Sequence, residues 1–165
     1  QDGVIWRIAF DHLADRILEG ALHHEGRFHH SGQRAFYASP TPEFAKHAVA
    51  AFCKPSDPPR SLFALDLTDA TLLDLRNAKV CADLGIEPET PSIPWQPQRA
   101  KGQAAATWLA SDAVRASGAD GLIFGSRSVS ARWHLVLFSW NELGHAHLRL
   151  RPGSRTALDM SAPVS

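Results

Sequence analysis

The sequence predicts a single α+β domain with a mixed or split β-sheet and flanking helices, and three observations lead there. Short runs rich in β-branched and aromatic residues recur between residues 4 and 140. Helix signals lie among them without regular βαβ alternation and without an internal repeat. The chain has 165 residues, the usual size of one domain, and no composition shift marks a boundary within residues 1–165.

The elements follow in order. "VIWRIAF", residues 4–10, reads as a strand. "DHLADRILEGALHH" sets Leu13, Ile17, Leu18 and Leu22 near helical spacing, and Gly20 limits this to a short helix. "RAFYAS", residues 34–39, is a short strand. Thr41 as N-cap, Pro42 at the first helical position and Glu43 in the first turn then make the best helix start in the chain. Phe44, Ala45, Ala48, Val49 and Phe52 form the apolar face of that helix, with Lys46 and His47 beside it.

"PSDPP", residues 55–59, is a loop, and "SLFALDL" is a strand with Phe63, Leu65 and Leu67 on one side. "TLLDLRN" continues it into another short element, and a helix over "AKVCADLG" ends at Gly85. "IEPETPSIPWQPQ" holds four prolines in thirteen residues and reads as a surface connection. "RAKGQAAATWLASDAVRASG" is the longest helix candidate, stopped at Gly118. "GLIFGS" and "RWHLVLFSW" are apolar strands, "HAHLRLRP" is a last strand, and residues 153–165 read as a loose tail.

Composition excludes several classes. Apolar residues make up 44% and charged residues 21%, as in an ordinary globular protein. Lys plus Arg and Asp plus Glu are 17 each, so no overall positive field draws nucleic acid. Cys53 and Cys81 lie in apolar surroundings with no disulfide or metal spacing, and read as reduced core residues. The chain has no apolar run of the ~18 residues that a membrane span needs and no cationic-then-apolar start, so the expectation is a cytoplasmic protein with no membrane partner.

The common catalytic fingerprints are missing: no G-x-G-x-x-G after a strand, no G-x-x-x-x-G-K-[ST], and no G-x-S-x-G, since "GSRS" lacks the glycine spacing. His23, His24, His29, His30 and His47 invite a metal reading, but their spacing fits no standard site, so no metal is expected.

What remains is an order of parts: "GRFHHSG" from Gly26 to Gly32, "AFYAS" with Tyr37, "TPEFAKHA", "GADGLIFGSRS" and "HLVLF". In that order they resemble the RES-domain toxins of bacterial toxin–antitoxin pairs. The family pattern runs G-R-[WF]-N/S-x-x-G, a Tyr-bearing strand, S-P-E-x-A-x-x-E, then G-x-D-G, two apolar residues, x-P-S-x-R, and N-L-V-L-F. The match spans about residues 4–138. The resemblance implies an ADP-ribosyltransferase-like fold that binds NAD in a cleft, breaks its nicotinamide–ribose bond, and is held inactive by a cognate Xre-type antitoxin.

The residue types suit that chemistry. Breaking an N-glycosidic bond passes through an oxocarbenium-like state, which a nearby carboxylate stabilises. Arg27 suits a pyrophosphate through its bidentate, always-charged fork, and Tyr37 suits stacking on a planar ring. Each also has a plain reading, Arg27 as a surface turn residue and Tyr37 as a half-buried strand aromatic. Ser126 and Arg127 match the family's downstream Ser and basic residue, which the resemblance places on the nicotinamide side. The plain alternative for Ser126 is a local backbone hydrogen bond.

Position 48 departs from the pattern, because Ala48 stands where the family has an acidic residue. Glu43 is a poor substitute: five residues back along a helix is ~140° round it and ~7.5 Å along the axis. Three readings stay open: a core residue of the helix face, a natural member that uses His47 or another group or has lost activity, and a chain inactivated at this position. The last is the working expectation. The expected function is mono-ADP-ribosyl transfer from NAD to a cellular protein. The alternatives are an NAD-degrading enzyme using water or phosphate, and a non-catalytic protein that binds NAD and the antitoxin. Trp95 reads either as an exposed docking residue or as one packed to pin its loop.

Overall fold

The computed structural model describes residues 2–159. The chain runs through β1 (Gly3–Phe10), a 3-10 helix (Asp11–Glu19), β2 (Phe36–Ala38), α1 (Pro42–Ala50), β3 (Arg60–Thr68), β4 (Leu72–Asp74) and α2 (Ala78–Asp83). It continues through α3 (Trp95–Ala100), α4 (Ala106–Ser117), β5 (Gly121–Gly125), β6 (Trp133–Leu137), β7 (His147–Leu150) and β8 (Thr156–Ala157). The α+β class holds, with the strands split between two sheets.

The first sheet has the order β1-β3-β7, all antiparallel, and β8 pairs with the start of β3. The second has the order β2-β6-β5-β4 and is mixed, since β4 runs parallel to β5. One pair of hydrogen bonds ties the sheets together: Trp6 N–H donates to the Ser39 carbonyl at 2.8 Å, and Ser39 N–H returns to Trp6 at 2.9 Å.

Strand β6 shows why "LVLF" is apolar at every position. Leu135 and Leu137 enter the core shared with Ile5, Phe63 and Leu65 of the first sheet. Val136, between them, enters a second core with Phe28, Ala110, Val114 and Leu122. A strand covered on both faces loses the polar half of its alternation.

Several expectations change. The segment after β1 is a 3-10 helix that stops at Gly20, whose φ is 84°. Residues 71–77 do not extend β3; β4 joins the other sheet, parallel to β5 at its edge. The long helix is two, because Gly102 at φ 72° ends the first and the Gln98 side chain caps the second by accepting from Ala106 N–H at 2.8 Å. The Pro-rich segment is built, too: Pro91 is buried, a 3-10 turn covers Thr90–Ser92, and α3 begins at Trp95. Pro97 sits in the first turn of α3, where its missing N–H costs nothing.

The tail is held as far as β8, and Ser154 donates its hydroxyl to the Ala64 carbonyl at 3.1 Å; residues 160–165 of the expected loose tail lie outside the described residues. On α1 only Ala45 is buried, while Ala48 and Phe52 are exposed, so the apolar face is narrower than the spacing suggests. Cys81 is buried, but Cys53 is only half-buried beyond the end of α1. Among the described residues no helix is long and apolar enough to cross a membrane.

Gly121 is where β5 and β6 approach most tightly: a Cβ there would stand 2.1 Å from the Val136 carbonyl oxygen. Gly121→Ala is therefore expected to destabilise the fold by about 2–3 kcal/mol, seen as a lower urea midpoint at unchanged m-value.

Candidate functional site

The turn that carries Arg27 is built on close contacts. Gly26 N–H donates to the His29 carbonyl at 2.8 Å, and a Cβ on Gly26 would lie 2.5 Å from the His29 ring, so only glycine fits. Helix α4 clamps the turn from outside: the Trp108 indole N–H donates to the Gly26 carbonyl at 2.8 Å, and the Thr107 hydroxyl donates to the Arg27 carbonyl. Phe28 is fully buried with its ring centroid 4.8 Å from that of Phe124 on β5.

These anchors lay the Arg27 guanidinium over the Phe124 ring, 4.6 Å from its centroid. One Nη donates to the Pro91 carbonyl at 2.7 Å, so the Pro-rich segment forms one wall of the site. Nε of Arg27 is buried with no hydrogen-bond partner. Burial, then the neighbouring Arg127, push its pKa down to about 10, with Tyr37 opposing. Glu25, though close in sequence, is engaged by Arg99 at 3.0 Å.

Tyr37 stands on β2 with its hydroxyl 2.9 Å from Phe28 N–H and 2.8 Å from Nδ1 of His29. Burial raises the phenol to about 12. Behind it, Arg7 of β1 donates to the Tyr37 carbonyl at 2.8 Å with its own Nε buried and unpartnered.

The opposite wall comes from residues that sequence reasoning missed. His134 at the start of β6 is buried, with Nδ1 2.8 Å from the Ser39 hydroxyl. Its ring lies 5.6 Å from Phe124 and 6.3 Å from Phe44 of α1. Arg132 reaches over Phe44, centroid distance 5.9 Å, and its Nε is also buried without a partner. Burial, then Arg27, Arg132 and His47, hold His134 down at about 4. A lone Arg in the apolar run "VIWRIAF", and a His where the family pattern has Asn before "LVLF", were the available signals for Arg7 and His134.

Arg27, Tyr37, Arg127 and His47 therefore act on one neighbourhood. Ser126 keeps its contacts within its own loop: its N–H donates to the Arg132 carbonyl at 2.8 Å and its hydroxyl meets that of Ser128 at 3.1 Å. Arg127 is exposed. Ala48 is exposed rather than a core residue, four positions after Phe44 and so on the same helix face, ~6 Å along the axis. Trp95 is half-buried, neither a free docking side chain nor a core one. Of the remaining histidines, His30 pairs with Asp112 at 2.8 Å, and His23 and His24 are exposed. Among the described residues no three His, Cys, Asp or Glu side chains converge as a metal site.

One electrostatic pattern stands out. Among the described residues, Arg7, Arg27, Arg127 and Arg132 are the arginines with no carboxylate at ion-pair distance. Arg27 feels Arg127 and acts with Arg132 on His134, whose ring meets both Phe124 and Phe44 of α1, and Arg7 backs Tyr37. Of these, Arg7 and Arg27 are desolvated, and a desolvated cation without a counter-charge costs stability.

The same cations give a pH signature. His134 binds its proton less readily in the fold, at about 4, than in the unfolded chain, at about 6.5, so stability falls as pH drops through that window. The loss is on the order of 2–3 kcal/mol, and His134→Asn is expected to remove most of it when urea unfolding is compared between about pH 7 and pH 4.

No curated protein sequence matches the chain. Its fold is similar to that of a chain in the crystal structure of the M. tuberculosis MbcT-MbcA toxin-antitoxin complex, with TM-score 0.62 and 16% identity over 98% of this chain and 86% of that one. The RES domain model matches residues 4–159, past residue 138 where the motif match ended and through β7 and β8. With that match over nearly its whole length, and the Gly26-Arg27-Phe28 turn and Tyr37 strand side by side in space, the chain belongs to the RES-domain family.

Proposed function

We propose that the protein is the toxin of a toxin–antitoxin pair and that the cleft between Phe124 and α1 takes NAD. The observation that carries this is the set of arginines without carboxylate partners around Arg27, Tyr37 and His134. A pyrophosphate supplies the missing negative charge, with Arg27 as its principal contact and Arg127 and Arg132 beside it. The Tyr37 ring flanks a planar part of the ligand, His47 lines the α1 side, and Ser126 and Arg127 close the nicotinamide end. NAD is the substrate here, and no metal enters the scheme.

The reaction is glycosyl transfer from NAD: the nicotinamide–ribose bond breaks and an acceptor takes the ADP-ribosyl group. Transfer to a cellular protein is the reading we adopt, with water or phosphate as the other acceptors. The stabilising carboxylate belongs at position 48. With Ala48 the cleft surrounds the developing cation with cations, so this chain binds without turnover. The same observation favours a second reading, a protein that keeps NAD and antitoxin contacts and has no catalytic role. The partner is an Xre-type antitoxin in the cytoplasm that covers the cleft mouth and excludes NAD.

Nicotinamide release and NAD binding test this together. The chain as it stands is expected to bind NAD and release no nicotinamide, and Ala48→Glu to restore release without loss of stability, because position 48 is exposed. Arg27→Ala in the Ala48→Glu background should lower kcat/KM by about 100-fold. Tight binding with no release by the Ala48→Glu form selects the non-catalytic reading, and no NAD binding by either form rejects the cleft.

A further inference from the structure

Tyr37 has a neighbour whose role the scheme above leaves open. His29 is 2% exposed and stands where the family pattern has Asn or Ser. Its Nε2 lies 3.0 Å from the His23 carbonyl oxygen, which can only accept, so Nε2 carries the hydrogen. In the neutral ring Nδ1 is then bare, and at 2.8 Å it can only accept the proton of the Tyr37 hydroxyl. The same oxygen accepts from Phe28 N–H at 2.9 Å. The hydrogen bonds thus run one way, from the Phe28 amide to the phenol to the imidazole, and from the imidazole to the His23 carbonyl.

We propose that His29 is the positioning residue of Tyr37: it takes the phenol proton, fixes the ring against the Arg27 turn, and leaves the ring face rather than the O–H as what Tyr37 offers a ligand. The functional part of this rests on the NAD reading of the cleft; the tether itself does not. Three features support it. Gly26 leaves the space that the imidazole fills, since any Cβ there would meet it at 2.5 Å. Burial, the largest influence, lowers the His29 pKa and keeps the ring neutral; Arg115 of α4 and His23 act in the same direction, while the His23 carbonyl bond and Glu25 oppose. Tyr37, raised to about 12, keeps its proton.

The chain's chemistry makes this unusually direct to test, because Tyr37 is its only tyrosine. Tyrosinate absorbance then reads Tyr37 alone, and nitrogen NMR of labelled histidine reads the His29 tautomer. Expected are a phenol titrating near 12 and a bare Nδ1 at neutral pH. On acidification, below the ordinary His range, Nδ1 gains a proton and the phenol turns its own O–H outward. A hydrogen on Nδ1 at neutral pH would overturn the tether.

The functional part is read from NAD binding in a double-mutant cycle. His29→Ala and Tyr37→Phe are each expected to weaken NAD binding by about tenfold, and His29→Gln, whose amide can accept from the phenol and donate to His23, to recover most of it. In the Tyr37→Phe background His29→Ala should change affinity by less than about twofold. An equal loss in both backgrounds would mean that His29 acts on the turn and not through the hydroxyl, and would sink the positioning role. If the chain binds no NAD while the tautomer and the phenol titration are as expected, the tether stands and the NAD reading falls.

Discussion

The docking of one short turn, Gly26 to His29, sets the positions of Arg27 and Tyr37. Phe28 is sunk against Phe124, the Trp108 indole and Thr107 hydroxyl hold the turn's carbonyls, and the Tyr37 hydroxyl holds the Phe28 amide. Three elements far apart in sequence thus converge on four residues. Arg27 has no freedom to lie elsewhere than over the Phe124 ring, and Tyr37 none to turn from the turn. A side chain pinned through its neighbours loses less entropy when a ligand arrives.

The arrangement is stable in spite of its charges, not because of them. Arg7 and Arg27 are desolvated enough to sit near 10, and Nε of each is buried without a partner. Besides one carbonyl each, aromatic faces stabilise these guanidinium groups: Phe36 under Arg7 at 4.7 Å and Phe124 under Arg27 at 4.6 Å, each contact worth about 1–2 kcal/mol. Elsewhere the same protein gives its arginines carboxylates, as with Arg60 and Asp57 at 3.0 Å or Arg151 and Asp66 at 3.0 Å. Within one chain, arginines with a carboxylate partner and arginines without one thus stand apart.

Helix α1 sets the place of position 48 through ordinary folding signals. The Thr41 hydroxyl caps Phe44 N–H at 3.1 Å, Pro42 fixes the first turn, and Phe44 packs toward His134. One turn later comes Ala48, small and exposed, so the helix needs nothing from it for stability. A residue that the fold does not use is one that can be exchanged with little structural effect.

By itself the sequence determined the α+β class, the strands β1, β3, β5 and β6, the start of α1 at Thr41, the stop of α4 at Gly118, and the order of parts that marks the family. The elements rest on local physics, namely apolar and β-branched runs, capping oxygens and the freedom of glycine at positive φ, and the family on the resemblance of its ordered parts. Tertiary structure alone decided the rest. It placed β4 in the second sheet, split the helix expected over residues 99–118 between the end of α3 and α4, and folded the Pro-rich segment down so that the Pro91 carbonyl meets Arg27. It also brought Arg7, Ser39, Arg132 and His134 to the cleft and His29 to the Tyr37 hydroxyl. These are partners separated by up to 95 positions, as with Ser39 and His134, and no local pattern encodes which distant surfaces will meet, because that is settled by how two sheets and a helix share one buried volume.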